Sequence, residues 1–98
     1  MSLSQVERKQ LRSFSRVLQP YLRIGKKGVT KEACDEIKNV LKRKGIVKIK
    51  LMRGALLEQP REKLVELLAT QTGAIVVDQV GFTTTLYQPR YPLTRIRM

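Results

Sequence analysis

Arg23-Ile24-Gly25-Lys26-Lys27-Gly28-Val29-Thr30 is the stretch on which the reading of this chain turns. Two glycines three apart enclose two lysines, and Thr30 stands at the N-cap position of a strongly helical pattern. A turn that enters a helix presents unpaired backbone N–H groups and the positive end of the helix dipole, so it favours an anion such as phosphate. Lys26 and Lys27 add two full charges at that point. Glycine at both ends allows positive φ and lets a sugar-phosphate chain approach without meeting a Cβ. A bare G-x-x-G reads equally well as a plain turn. The paired lysines, the helix cap and the basic character of the whole chain turn it toward phosphate contact. It is neither a Walker A loop nor a dinucleotide fingerprint, because the required glycine spacings are absent.

Outward from the loop, both directions show punctuated periodic segments. Upstream, Ser4 and Glu7 stand at capping-box spacing, and Leu11, Phe14, Val17 and Leu18 recur three to four apart. This predicts a first helix over 5–18, ended by Pro20, and a short first strand over 21–24. Downstream, Ala33, Ile37, Val40 and Leu41 form the stripe of a helix over 31–44, with Gly45 as its stop. Acidic Glu32, Asp35 and Glu36 crowd its start, and Lys42, Arg43 and Lys44 its end, matching the dipole at both ends. Ile46 to Met52 alternates Val47, Ile49 and Leu51 against Lys48 and Lys50, the period of a strand with one solvated face. Residues 53–60 read as a loop, with Pro60 opening a third helix to about Thr72, closed by Gly73. Residues 74–80 and 83–87 read as strands joined through a Gly81-Phe82 type II′ hairpin. The predicted order is helix-strand-helix-strand-helix-strand-strand, an α/β (α+β) two-layer domain with a mixed four-stranded sheet. Residues 1–90 form this single domain, and 91–98 are expected to be a basic, mobile C-terminal tail.

Composition narrows the function classes. At 98 residues the chain has room for one core, and 20 Lys plus Arg against 8 Asp plus Glu give a net charge of +12. Charge of that sign and size points to an anionic polymer or surface as partner. The absence of histidine removes the commonest general base and, with a single cysteine, the usual zinc and iron constellations. Cys34 borders an apolar helix stripe, and Glu32, Asp35 and Glu36 read as dipole complement, so no enzyme activity, cofactor or metal is expected. No apolar run reaches the roughly 18 residues that suggest a membrane span, and the N-terminus lacks a signal-peptide core, so a cytoplasmic location is expected.

Taken in order, L-x-P-Y-L-R-I-G-K-K-G-V-T, I-x-x-V-L-K-R-K-G-I-V-K-I-K, T-G-A-I-V-V-D-Q-V-G and T-L-Y resemble the CRM domain family, in its stand-alone, YhbY-like prokaryotic form. The likeness covers about 11–90. It implies an RNA-binding module with a fold similar to the C-terminal domain of translation initiation factor three. It also implies an association with precursors of the large ribosomal subunit, and Gly25, Lys26, Lys27 and Gly28 as the RNA-contacting loop. Gln88 departs from the family pattern, in which arginine often follows the final tyrosine; Arg90 is the nearest substitute.

The candidate RNA contacts are Gly25, Lys26, Lys27 and Gly28, the helix entry at Thr30 and Lys31, and the flanking cations Arg12, Arg16, Lys48 and Lys50. Arg8, Lys9, Arg12 and Arg16 read either as a solvated helix face or as an RNA footprint without acidic counterweights. Lys48 and Lys50 read either as protection of an open sheet face or as a second row of phosphate contacts. Aromatic residues are few, which suits recognition of folded RNA by shape and backbone. The expected partner is ribosomal or pre-ribosomal RNA, bound by a monomer away from membranes. Two other readings stand beside it: double-stranded DNA binding, and a protein-interaction adaptor using the third helix and the Val80 hairpin.

Overall fold

The computed structural model describes residues 3–96. Its elements are α1 (Gln5–Val17), β1 (Leu22–Ile24), α2 (Lys31–Lys44), β2 (Ile46–Leu51), α3 (Arg53–Glu58), α4 (Arg61–Thr72), β3 (Ile75–Val80), β4 (Thr83–Tyr87) and a closing 3₁₀ turn, Leu93–Arg95. The strands form one mixed sheet in the order β1-β2-β4-β3. β1 runs parallel to β2, while β4 is antiparallel to both of its neighbours. The parallel pair needs a crossover, and α2 supplies it. The β3–β4 hairpin closes through Gly81-Phe82, the residues between paired Val80 and Thr83.

Local signals set the helix ends. Ser4 and Glu7 complete the capping box of α1, with the Glu7 N–H donating to Ser4 Oγ at 3.1 Å and the Ser4 N–H donating to Glu7 Oε1 at 2.9 Å. Thr30 Oγ1 accepts the Ala33 N–H at 3.1 Å and starts α2. Gly45 ends α2 at φ 81°, in the left-handed region. An Ala at 45 would be strained there, and its methyl would overlap the Tyr91 ring. The segment expected as a loop over 53–60 holds the six-residue α3, which starts from Met52 without a side-chain cap. Packing holds it instead: Ala55 is buried and Leu56 lies against the main core.

Alternation sends the two sides of the sheet to different cores. Val47, Ile49 and Leu51 of β2 and Leu86 of β4 join Ile37, Val40 and Leu41 of α2 and Leu64, Val65 and Leu68 of α4 in the main core. Each fully buried Leu or Ile contributes about 1.5–3 kcal/mol of transfer free energy. Across the sheet, Leu3 and Leu11 cluster with Ile46, Val77, Tyr87 and Ile96, with Phe14 and Tyr91 packed beside them. α1 therefore crosses the second face, anchored by a buried 2.6 Å hydrogen bond between Ser15 Oγ and Thr85 Oγ1. The mixed four-stranded sheet is the expected one, and the structure adds that α1 covers part of its far side.

Residues 91–96 are not a mobile tail. Tyr91 donates to the Arg43 carbonyl at 3.0 Å, its own carbonyl accepts the Tyr87 hydroxyl, and Ile96 is buried in the second core. The turn that brings Tyr91 back uses Arg90 at φ 71°. The end of the predicted tail, 97–98, lies outside the described residues.

Candidate nucleic-acid interface

The GKKG turn follows directly from the end of β1. The Gly28 N–H donates to the Gly25 carbonyl at 2.8 Å, closing a four-residue turn that projects Lys26 and Lys27, both exposed. Of the two glycines only Gly28 takes positive φ, at 75°. Gly25 has no such requirement, yet at both positions nothing stands within 4 Å of where a Cβ would be. The loop backbone is thus bare toward solvent. Val29 packs against the main core and fixes the turn to the body of the protein.

Beneath the loop lies a contact that sequence spacing could not show. An alanine methyl at Gly54 would stand 3.3 Å from the Lys26 backbone nitrogen, so α3 packs directly under the turn. The Met52 N–H, donating to the Ile24 carbonyl at 2.8 Å, ties the start of α3 to the end of β1. Arg53 consequently enters the same neighbourhood as Lys26 and Lys27, and it is exposed. Behind the turn is a hollow of about 350 Å³ lined by Lys26, Lys27, Gly28, Glu58 and Leu67.

The predicted flanking cations separate into three groups. Lys50 pairs with Arg23 across the β1–β2 ladder, one rung before Ile24–Leu51, so it stands beside the loop. Lys48 is occupied elsewhere: its ammonium donates to the Ser15 carbonyl at 3.0 Å, supporting the C-terminal turn of α1. The strand face expected to be solvated is therefore covered at Lys48. Arg12 and Arg16 are exposed on α1, which clusters with the Ile46–Tyr87 end of the sheet and with β3. The last turn of α1, however, is held over Lys48 and Thr85 through Ser15, three residues of β2 from Leu51. Arg16 therefore stands over the middle of β2, on the Lys50 side of the sheet, and Arg12 one helical turn further toward the Ile46 end. Thr30 spends its side chain on the α2 cap, and Lys31 pairs with Asp35 at 3.2 Å.

Among the described residues the ion pairs are Lys31–Asp35, Arg61–Glu62 and Lys63–Glu66, so Arg23, Lys26, Lys27, Lys50 and Arg53 make no ion pair there, with Glu58 the acidic residue in the hollow beside the two lysines. A cluster of unpaired cations over bare backbone can neutralise neighbouring phosphates and release their counterions. The sequence reading missed Arg23, Arg53 and Gly54. The first was visible in the motif itself, whereas the other two required α3 to be recognised.

The titratable groups displaced from their ordinary range lie elsewhere. Burial pushes the Cys34 thiol up, against the opposing effect of Lys38 and with a smaller push from Asp35, and its Sγ–H donates to Gln71 Oε1 at 3.5 Å. At neutral pH it is a protonated core thiol. Burial, aided by Glu7, likewise raises the Tyr87 phenol.

Comparison with known proteins bears on this geometry. A family model described as the CRS1 / YhbY (CRM) domain matches residues 3–88. The chain belongs to that CRM domain family. A curated relative from Methanocaldococcus jannaschii, named "Probable RNA-binding protein", is 34% identical over 83 residues, which is 85% of this chain and 61% of the relative. The chain thus spans about three fifths of that relative's length. The solution structure of a hypothetical Staphylococcus aureus protein superposes with a TM-score of 0.75 at 21% identity, covering 99% of each chain, and so shares the fold. As a CRM domain, the chain places its G-x-x-G at the end of β1, between a strand and a capped helix.

Proposed function

We propose that this CRM domain binds structured RNA by clamping the sugar-phosphate backbone at the GKKG turn. The observation that carries the reading is the turn itself: two exposed lysines without ion-pair partners among the described residues, between glycines with no atom within 4 Å of an added Cβ, at the entry of a capped helix. Lys26 and Lys27 supply charge, and the first turn of α2 around Thr30 and Lys31 adds backbone donors. Arg23, Lys50 and Arg53 extend the footprint along the adjoining sheet end. Arg12 and Arg16 lie on α1, whose last turn sits over Lys48 on the same face of the sheet as Lys50, and they offer a continuation of the basic surface along that face. Lys48 belongs to the fold.

The family and the name of the archaeal relative support RNA as the polymer. Ribosomal or precursor RNA is the proposed target, and assembly of the large ribosomal subunit the proposed setting. The role is binding, with no catalytic step. Crosslinking in cells followed by sequencing of the bound RNA tests it: enrichment of ribosomal RNA is expected, and recovery of no RNA above background overturns it. Duplex DNA binding is judged by competition at matched salt, where folded RNA is expected to win. The adaptor reading requires that replacing Lys26 and Lys27 by Ala leave function intact.

A further inference from the structure

Between α3, the end of β2 and the β3–β4 hairpin is an apolar groove of about 360 Å³ walled by Lys50, Leu51, Met52, Arg53, Leu56 and Phe82, while other residues of α3, Ala55 and Glu58, line the hollow shared with Lys26 and Lys27. Phe82 is 58% exposed, at the tip of the β3–β4 hairpin. A large exposed ring at a hairpin tip is ordinarily free to swing, but here the backbone beneath it is fixed twice. The Phe82 carbonyl accepts the Leu51 N–H at 2.7 Å, and the neighbouring Gly81 carbonyl accepts the Arg61 guanidinium at 3.1 Å. The backbone that carries the ring is therefore fixed beside the groove, so binding has only side-chain torsions left to order.

The chemistry of the groove is mixed in a particular way. Its interior is apolar side chain, while its rim carries Lys50 and Arg53, neither of which is ion-paired among the described residues. An occupant with an apolar or aromatic middle and an anionic edge complements both parts of this lining. A nucleotide with an unpaired base fits both demands: the base stacks on Phe82 against Met52 and Leu56, and its flanking phosphates meet Lys50 and Arg53. A wholly apolar helix of a partner protein would leave the two cations unanswered.

We infer that this groove is a nucleobase site, which takes one unstacked base from the RNA whose backbone the GKKG turn holds. It rests on the phosphate-clamp reading and goes beyond it, because it makes the preferred RNA one with a bulge or loop nucleotide beside a paired stem.

The test uses the full chain and two synthetic RNA hairpins of the same stem, one fully paired and one with a single bulged adenosine, titrated at matched salt. The bulged RNA is expected to bind about tenfold more tightly, in the range of one base–aromatic stack. Phe82→Ala is expected to remove that advantage and leave affinity for the paired RNA unchanged. Phe82→Trp, the only tryptophan in the chain, should keep it and have its emission quenched by the bulged RNA alone. Equal affinity for the two RNAs, untouched by Phe82→Ala, overturns the nucleobase site. If Lys26→Ala with Lys27→Ala still weakens both RNAs in that case, the phosphate clamp survives. If it weakens neither, both readings fail together.

Discussion

Gly54 lies beneath Lys26 so closely that a methyl group added to it would stand 3.3 Å from the Lys26 backbone nitrogen. This contact couples a six-residue helix to the turn that carries the proposed RNA contacts. Alanine at 54 gains roughly 1 kcal/mol of helix propensity and must also push the turn outward by a few tenths of an ångström. Gly54→Ala is expected to leave thermal stability within about 1 kcal/mol of the parent while weakening RNA binding several-fold. Melting curves beside RNA titrations check it, and unchanged affinity would separate α3 from the interface.

The two loop glycines should respond differently to substitution. Gly28 sits at φ 75°, and Ala there is expected to cost about 1 kcal/mol of stability. Gly25 has an ordinary φ and open space around it, so Gly25→Ala should be neutral in the free protein. It should nevertheless reduce RNA affinity, because the new methyl occupies the side from which the backbone approaches. A Gly25→Ala protein of normal stability and normal affinity would contradict close approach at this turn.

Lys48 and Lys50, two apart on one strand, are expected to separate cleanly. Lys48→Met removes the cation that meets the Ser15 carbonyl and should cost about 1 kcal/mol of stability with RNA affinity unchanged. Lys50→Met should do the reverse, lowering affinity and its salt dependence while stability holds. Denaturant unfolding and binding titrations on both variants decide it, and a loss of affinity in Lys48→Met would return that residue to the interface.

Gly45→Ala should be among the most destabilising single substitutions, at about 2 kcal/mol or more, since backbone strain at φ 81° adds to overlap with Tyr91. Tyr91→Ala in the same chain is expected to recover part of that loss. The double-mutant cycle measures the coupling, and strict additivity would mean that Tyr91 is not docked.

These contrasts also show what was legible in the sequence. The bounds of α2 follow from Thr30 and Gly45 because capping is local, and the hairpin follows from Gly81-Phe82 between two β-rich runs. The alternation of β2 was equally clear, but alternation alone cannot say whether a second layer covers the other face. α1 does so over Lys48, as the Ser15–Lys48 and Ser15–Thr85 contacts reveal. The α3 segment, with Gly54 in its first turn and no side-chain cap, lacks every local helix signal and exists through packing of Ala55 and Leu56. Tyr91, Leu93 and Ile96 were hidden by the prolines and arginines around them, although three apolar residues within six are a weak anchor signal. The centre of the proposed site was readable because it is contiguous. Its surroundings were not, since Arg53 and Gly54 reach the turn only through the third dimension.

The most direct test of the central claim is the salt dependence of RNA affinity for the parent chain and for Lys26→Ala with Lys27→Ala. Each phosphate contact contributes roughly 0.7–0.9 to the slope of log affinity against log salt, so losing two should flatten it by about 1.5. The account predicts that flattening together with weaker binding at low salt and unchanged thermal stability. Superimposable salt titrations for the two proteins would contradict it.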